Sequence, residues 1–163
     1  MPNLTLLMKS LGDVAGNLCK VVLPIKQEYY IGTGKIVAVC TLSSINLLIK
    51  ISQSSLMRDL AIAGRLLSEN RGIDAIINFT LKHPQLKRII ICGKEVKGHR
   101  AGQALVALQK NGTTSSGRII GAAGPSPILK SSTHQVNAFR MQIDISDMIG
   151  VVDFAKIADA LVT

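Results

Sequence analysis

Two runs of the chain have the apolar pattern of buried strands. Residues 35–42 and 87–92 are apolar at most positions on both faces, which is typical of strands that helices cover on both sides of a sheet. Shorter strands are predicted at residues 27–31, 118–122 and 142–147. The pattern therefore predicts five strands spread along the chain.

Apolar residues at helical spacing predict helices between these strands. Ile73, Ile77 and Leu81 recur every four residues, and Ser132 with Gln135 has the spacing of a capping box. The predicted helices cover residues 4–18, 56–70, 73–82, 100–110 and 152–161, with a further helix that begins at residue 132. Strands that alternate with helices predict an α/β fold with a mostly parallel sheet and helices on both faces.

Loops rich in Gly or Ser follow three of the predicted strands, after Leu42, Cys92 and Ile120. In open α/β sheets, ligands bind outside the carboxyl ends of the strands, where the topology switches. Glycines in such loops let a ligand approach the backbone closely. The sequence therefore predicts a flat or anionic ligand at this edge.

The composition of the 163-residue chain excludes several classes of protein. With 47 % hydrophobic and 18 % charged residues, the chain is not disordered. The longest uncharged apolar run, residues 36–49, is shorter than the roughly 20 residues of a membrane helix. Cys19, Cys40 and Cys92 lack the short spacing of disulfide or zinc sites, which indicates reduced thiols. The +9 charge is scattered and only five residues are aromatic, so nucleic-acid binding is not expected.

The most informative segment is residues 93–103, GKEVKGHRAGQ. It places His99 after a buried strand and at the mouth of a helix, with Gly98 and Gly102 leaving space around the imidazole. A neutral imidazole is a common metal ligand, and the positive end of a helix dipole disfavours its protonation. One histidine does not hold a bare ion, but it suffices for a metal already bound in a macrocycle, such as haem or a cobamide.

Two interpretations of this segment stay open at the level of the residues. Glu95 is placed to accept the second ring N–H of His99 and fix its tautomer. Alternatively, Glu95 is a solvated carboxylate and His99 begins a helix without any ligand. His83 and His134 are expected to be solvated. The chain has no G-x-S-x-G, G-x-G-x-x-G or P-loop motif, so a hydrolase, dehydrogenase or kinase is not expected.

Several segments resemble a known family. GKEVKGHRAGQALVALQKNG, GRIIGAAGPSP and AFRMQIDISDMIGVVD are similar to the A subunit of tetrahydromethanopterin S-methyltransferase, as are VAVCTL and SENRGID. The resemblance covers residues 23–162. It implies a Rossmann-like domain that carries a cobalamin or other cobamide with His99 as axial cobalt ligand. The run His99-Arg100-Ala101-Gly102 also has the H-x-x-G piece of the commoner cobalamin motif, but Lys97 stands where that motif has Asp.

The family reaction moves a methyl group from methyl-tetrahydromethanopterin to coenzyme M through cobalt in methanogenesis. The resemblance thus implies a corrinoid carrier whose partners are methyltransferase subunits. A free-standing carrier for another methyltransferase, or a cobamide store, remains an alternative. We expect one cobamide-binding domain over residues 1–163, an additional N-terminal helix within residues 1–22, a cytoplasmic location and no membrane insertion. The residues expected to contact the cofactor are Thr41, Ser43, Ser44, Glu95, Gly98, His99, Gly102, Gln103, Gly121, Gly124, Pro125 and Ser126.

Overall fold

The computed structural model describes residues 28–162. The helix predicted at residues 4–18 and Cys19 lie outside this range. The strands are β1 (Tyr29–Ile31), β2 (Val37–Cys40), β3 (Leu60–Gly64), β4 (Arg88–Ile91) and β5 (Asp144–Asp147). The helices are α1 (Ile45–Ser52), α2 (Arg71–Lys82), α3 (Ala101–Asn111), α4 (Thr133–Gln142) and α5 (Phe154–Val162), with a 3-10 turn at Ser55–Arg58.

The five strands form one mixed sheet in the order β1-β3-β2-β4-β5. Four of them run parallel, and β1 joins the edge antiparallel to β3. From β2 the chain first moves outward to β3 and later crosses to β4 on the other side. The topological switch point therefore lies between β2 and β4, and the loops that follow these two strands meet there.

Helices cover both faces of the sheet, which confirms the predicted α/β architecture. On one face α2, α3 and α4 bury side chains such as Ile77, Leu105 and Phe139. On the other face α1 and α5 bury Leu48 and Ile157 against the strands. The two apolar clusters hold the sheet between them, so its carboxyl edge is a fixed platform for the loops.

Three helices begin or end close to the predicted residues because nearby residues in the sequence fix their ends. α2 ends at Lys82, directly before His83-Pro84, because a residue before proline disfavours helical backbone. α3 ends at Asn111, and Gly112 follows with φ of +71°. α4 begins with the predicted capping box, in which the side chains of Ser132 and Gln135 each bond the other's backbone N–H.

Two predictions of local structure were wrong, and one helix was not predicted. The predicted helix at residues 56–70 is instead a 3-10 turn followed by β3, which hydrogen-bonds to β1 on one side and β2 on the other. These ladder bonds outweigh the helical spacing of a short apolar run.

The predicted strand at residues 118–122 forms only isolated bridges, Thr113 with Ile119 and Arg118 with Ile128. The unpredicted helix is α1, whose residues lie in the long apolar run at residues 36–49 and just beyond it.

Candidate functional site

The loops that follow β2 and β4 are tied to each other at the switch point. The Ser43 hydroxyl donates to the Lys94 carbonyl at 2.7 Å, and the Lys94 N–H donates to the Ser44 hydroxyl at 2.8 Å. Buried Leu42 holds the left-handed conformation with φ of +50°. The Arg65 guanidinium donates to the carbonyls of Leu42 and Ser43. These bonds stabilise a turn that a non-glycine residue rarely adopts.

Glu95 caps helix α3 rather than orienting His99. Its carboxylate accepts the N–H groups of Val96 at 2.8 Å, Gly102 at 3.0 Å and Gln103 at 2.8 Å. The amides of Gly102 and Gln103 lie in the first turn and have no partner inside the helix, and the positive end of the helix dipole attracts a carboxylate. The contact of Glu95 with the His99 ring, one of the two interpretations that the residues left open, is therefore wrong.

The partner of His99 is Glu69, which sequence reasoning missed. The Nδ1 atom of His99 lies 2.8 Å from Oε2 of Glu69, and Oε1 of Glu69 accepts the Ser126 N–H at 3.0 Å. The Glu69 side chain is only 1 % exposed, whereas that of His99 is 53 % exposed. A buried carboxylate thus holds a half-exposed imidazole at the carboxyl edge of the sheet.

The charge state of Glu69 decides which atom carries the proton. Burial raises the pKa of the Glu69 carboxyl, but the backbone N–H groups of Glu69 and Ser126 together with the His99 ring outweigh this and hold the pKa below its ordinary value. The ionised carboxylate only accepts hydrogen bonds, so Nδ1–H of His99 is the donor. In the neutral ring, Nε2 then carries the lone pair that a metal requires.

The segment at residues 121–126 is fastened beside α3 by Gln103. The Gln103 side-chain amide donates to the Gly121 carbonyl at 2.8 Å, and its oxygen accepts the Ala123 N–H at 2.9 Å. This segment follows isolated bridges rather than a strand. It nevertheless lies at the start of α3, beside the loop that follows β4.

The far end of the same segment lies against His99 and Glu69. The Asn70 side chain donates to the Ser126 carbonyl at 3.2 Å. A Cβ atom on Gly124 would meet the His99 carbonyl and lie 3.0 Å from Cγ of Glu69. Glycine is therefore required for this close approach.

The predicted site residues fall into two groups in the structure. One group lies on the two segments that meet at the His99–Glu69 pair. Gly124 and Ser126 lie against the pair itself, Gln103 bonds Gly121, Glu95 caps the helix at Gly102 and Gln103, and Gly98 and Pro125 are chain neighbours of these residues. The other group, Thr41, Ser43 and Ser44, contacts Gly64 and Lys94. Thr41 is fully buried and donates to the Gly64 carbonyl at 3.3 Å, so it holds the two strands together.

The other side chains with metal-binding chemistry are placed differently. His83 stacks on Phe79 with ring centroids 4.0 Å apart, and His134 is exposed in the first turn of α4. Burial raises the pKa of the Cys40 and Cys92 thiols to about 12. Within residues 28–162, no three His, Cys, Asp or Glu side chains cluster as a metal site. No helix of that same range has the length and apolarity to cross a membrane.

Known proteins with similar sequences give the chain its family. The family of the A subunit of tetrahydromethanopterin S-methyltransferase matches residues 20–162. The A subunit of that enzyme from Methanocaldococcus jannaschii is 37 % identical over 137 residues, which are 82 % of this chain and 55 % of the relative. The A subunit numbered 2 from Methanothermobacter marburgensis is 38 % identical over 103 residues, 62 % of this chain and 56 % of the relative.

A further relative comes from Methanosarcina barkeri and is named as the A subunit of the putative methyltransferase Mtx. It is 33 % identical over 135 residues, which are 82 % of this chain and 64 % of the relative. The chain thus spans little more than half the length of most of these relatives. Because the family match covers most of the chain, the protein belongs to the family of the tetrahydromethanopterin S-methyltransferase A subunit.

Proposed function

We propose that this domain binds a cobamide through Nε2 of His99 and carries it in methyl transfer. The observation that carries the proposal is the pair formed by a half-exposed imidazole and a buried, ionised carboxylate. A hydrogen bond from the second ring nitrogen to a carboxylate is the usual support of a metal-bound histidine. Family membership gives the methyl-transfer context.

The residues around His99 fit a cobamide better than a bare ion. A bare transition metal requires three or four protein ligands, whereas the metal of a cobamide already has most of its ligands from the cofactor, so one imidazole of the protein would suffice to hold it. A Cβ atom on Gly98 would meet no atom of the described residues within 4 Å, so there is open space directly before His99. When bound, the cobamide supplies a cobalt centre that accepts and releases the methyl group.

The protein's own residues then have distinct tasks. His99 binds the metal, and Glu69 keeps the proton on Nδ1 and fixes the plane of the ring. The Ser126 N–H holds the other carboxylate oxygen, so Glu69 cannot rotate away without losing that bond. Glu95 stabilises the start of α3, which directly follows His99 and Arg100.

Family membership, rather than the geometry, supports the reaction that we propose. We infer that the methyl donor is methyl-tetrahydromethanopterin, that the acceptor is coenzyme M, and that the partners are other methyltransferase subunits in the cytoplasm. A carrier that serves a different methyltransferase is the second candidate. It is favoured by the relative from Methanosarcina barkeri, whose name refers to the methyltransferase Mtx and which matches 82 % of the chain.

The test is titration of the purified full chain with cobalamin, followed by absorbance and by EPR of the Co(II) state. Histidine labelled with nitrogen-15 separates a protein ligand from the cofactor's own base, because only the protein ligand changes the splitting. We expect the label to change the splitting in wild type and in His134→Ala, the matched control. In His99→Ala the label should have no effect. If wild type binds no cobalamin, or keeps the cofactor's base on cobalt, the proposal is wrong.

A further inference from the structure

A concave surface lies at the carboxyl edge of the sheet, on the face covered by α1 and α5. It is a cavity of about 440 Å³ between the loop after β2, the start of α1 and the loop after β5. Its lining includes Ser43, Ser44, Asn46, Lys50, Lys94 and Val152. His99 and Glu69 precede helices on the opposite face, so this cavity adjoins their site at the switch point without being part of it.

The charge of the cavity is positive. Lys50 and Lys94 both line it, and none of the lining residues within the described range is acidic. The Lys50 ammonium lies 4.9 Å from the centre of the Phe154 ring, which holds the side chain beside the cavity. Asp153 follows the lining residue Val152, but its carboxylate accepts the Ala155 N–H at 2.9 Å at the start of α5.

The backbone of Lys94 is held by two neighbours that line the same cavity. Its carbonyl accepts the Ser43 hydroxyl and its N–H donates to the Ser44 hydroxyl. The Ser44 oxygen is thereby an acceptor, and its own O–H can donate in turn. Two lysines and a serine whose hydroxyl can donate thus line one cavity, a set of residues that suits an anion with several acceptor oxygens.

We propose that this cavity binds a phosphate-type anion. The phosphate has two chemical sources: the phosphodiester in the nucleotide tail of a cobamide, or a separate phosphate compound. Lys94 lies five residues before His99, so their Cα atoms are at most about 18 Å apart, and one extended cofactor can reach both. Binding of the cobamide tail rests on the proposed function, whereas binding of a separate phosphate compound does not.

The experiment compares two corrinoids with and without the tail. Cobalamin carries the nucleotide phosphate, and cobinamide lacks it. We measure the affinity of the full chain for each, with wild type, Lys94→Gln, the double variant Lys50→Gln/Lys94→Gln, and the control Lys82→Gln at the end of α2. In a second arm, inorganic phosphate is titrated in a low-salt buffer and followed by NMR at the Ser44, Asn46 and Lys94 amides.

If the cofactor supplies the phosphate, Lys94→Gln weakens cobalamin binding about threefold to tenfold and leaves cobinamide binding unchanged. The difference in cobalamin affinity between wild type and Lys94→Gln should become smaller as salt is added. If a separate compound supplies it, inorganic phosphate shifts the three amides in wild type and in Lys82→Gln but not in the double variant. The proposal is overturned if the lysine variants change neither the preference for cobalamin over cobinamide nor the phosphate shifts. If the chain binds neither corrinoid but inorganic phosphate still shifts the three amides, only the proposed function is wrong.

Discussion

Among single residues, Glu69 connects the stability of the domain to its candidate site. Its carboxylate is nearly inaccessible to water and accepts bonds from His99 and from the Ser126 backbone. A buried carboxylate is costly unless such bonds favour its charged form. Because these bonds lower the pKa of Glu69, the charged form stabilises the folded state as well as the His99 tautomer.

A pH dependence of stability follows from this lowered pKa. A carboxyl whose folded pKa lies below its unfolded pKa stabilises the fold above the unfolded value and loses this contribution as the pH falls through the folded value. At pH 7 we expect Glu69→Gln to lower the free energy of unfolding by about 2 kcal/mol. The difference from wild type, measured by urea unfolding, should shrink as the pH falls below the ordinary glutamate pKa of about 4.3.

The matched control is Glu28→Gln, which makes the same chemical change at an exposed position. Its effect should stay within about 0.5 kcal/mol at every pH. A Glu69→Gln difference that is constant or grows on acidification would contradict the role assigned to the ionised carboxylate.

At the scale of elements, the sequence predicted those whose signals are local. The capping box of α4 and the proline after α2 are chemical features of a few adjacent residues. β3 has no such signal, because only its ladders with β1 and β2 make it a strand. The wrong prediction of a helix at residues 56–70 is also why Glu69 was missed as the partner of His99. A residue inside that helix would not be expected at the carboxyl edge of the sheet. In the structure, Glu69 stands in the loop between β3 and α2.

The loop between β4 and α3 gives a matched pair of glycines for testing how the site is built. Gly93 and Gly98 have φ of +80° and +82°, so alanine is strained at both by about 1 kcal/mol. At Gly93, however, a Cβ atom would also meet the Thr41 carbonyl and lie 2.9 Å from Oγ of Ser44. At Gly98 it would meet no atom of residues 28–162 within 4 Å.

We therefore expect Gly93→Ala to lower the free energy of unfolding by about 1–3 kcal/mol more than Gly98→Ala. Urea unfolding of the two variants measures this difference, and each serves as the control for the other. Equal losses would mean that the loops after β2 and β4 are not packed as closely as their hydrogen bonds indicate.

For the whole molecule, the sheet order brings the candidate site and the cavity to one edge. β2 and β4 are central neighbours, and their loops lead to opposite faces, with α1 on one side and α3 on the other. Alternating strands and helices predicted this class of sheet, but strand order depends on pairings between distant residues. The resemblance, not the periodicity, singled out a cobamide for that edge.

The two central strands also offer a probe of how the domain opens as a unit. Cys40 ends β2 and Cys92 follows β4, and both are buried with thiol pKa raised to about 12. Only the thiolate reacts readily with iodoacetamide, so at about pH 8 modification requires opening of the sheet. We expect Cys40 and Cys92 to react at least about 1,000-fold more slowly in the folded protein than in guanidinium chloride. Within the folded protein, the two thiols should react at the same rate as each other. Mass spectrometry of the separate peptides distinguishes them from Cys19. Fast labelling of Cys92 alone would show that the loop after β4 opens independently of the sheet, which would contradict a rigid platform beneath His99.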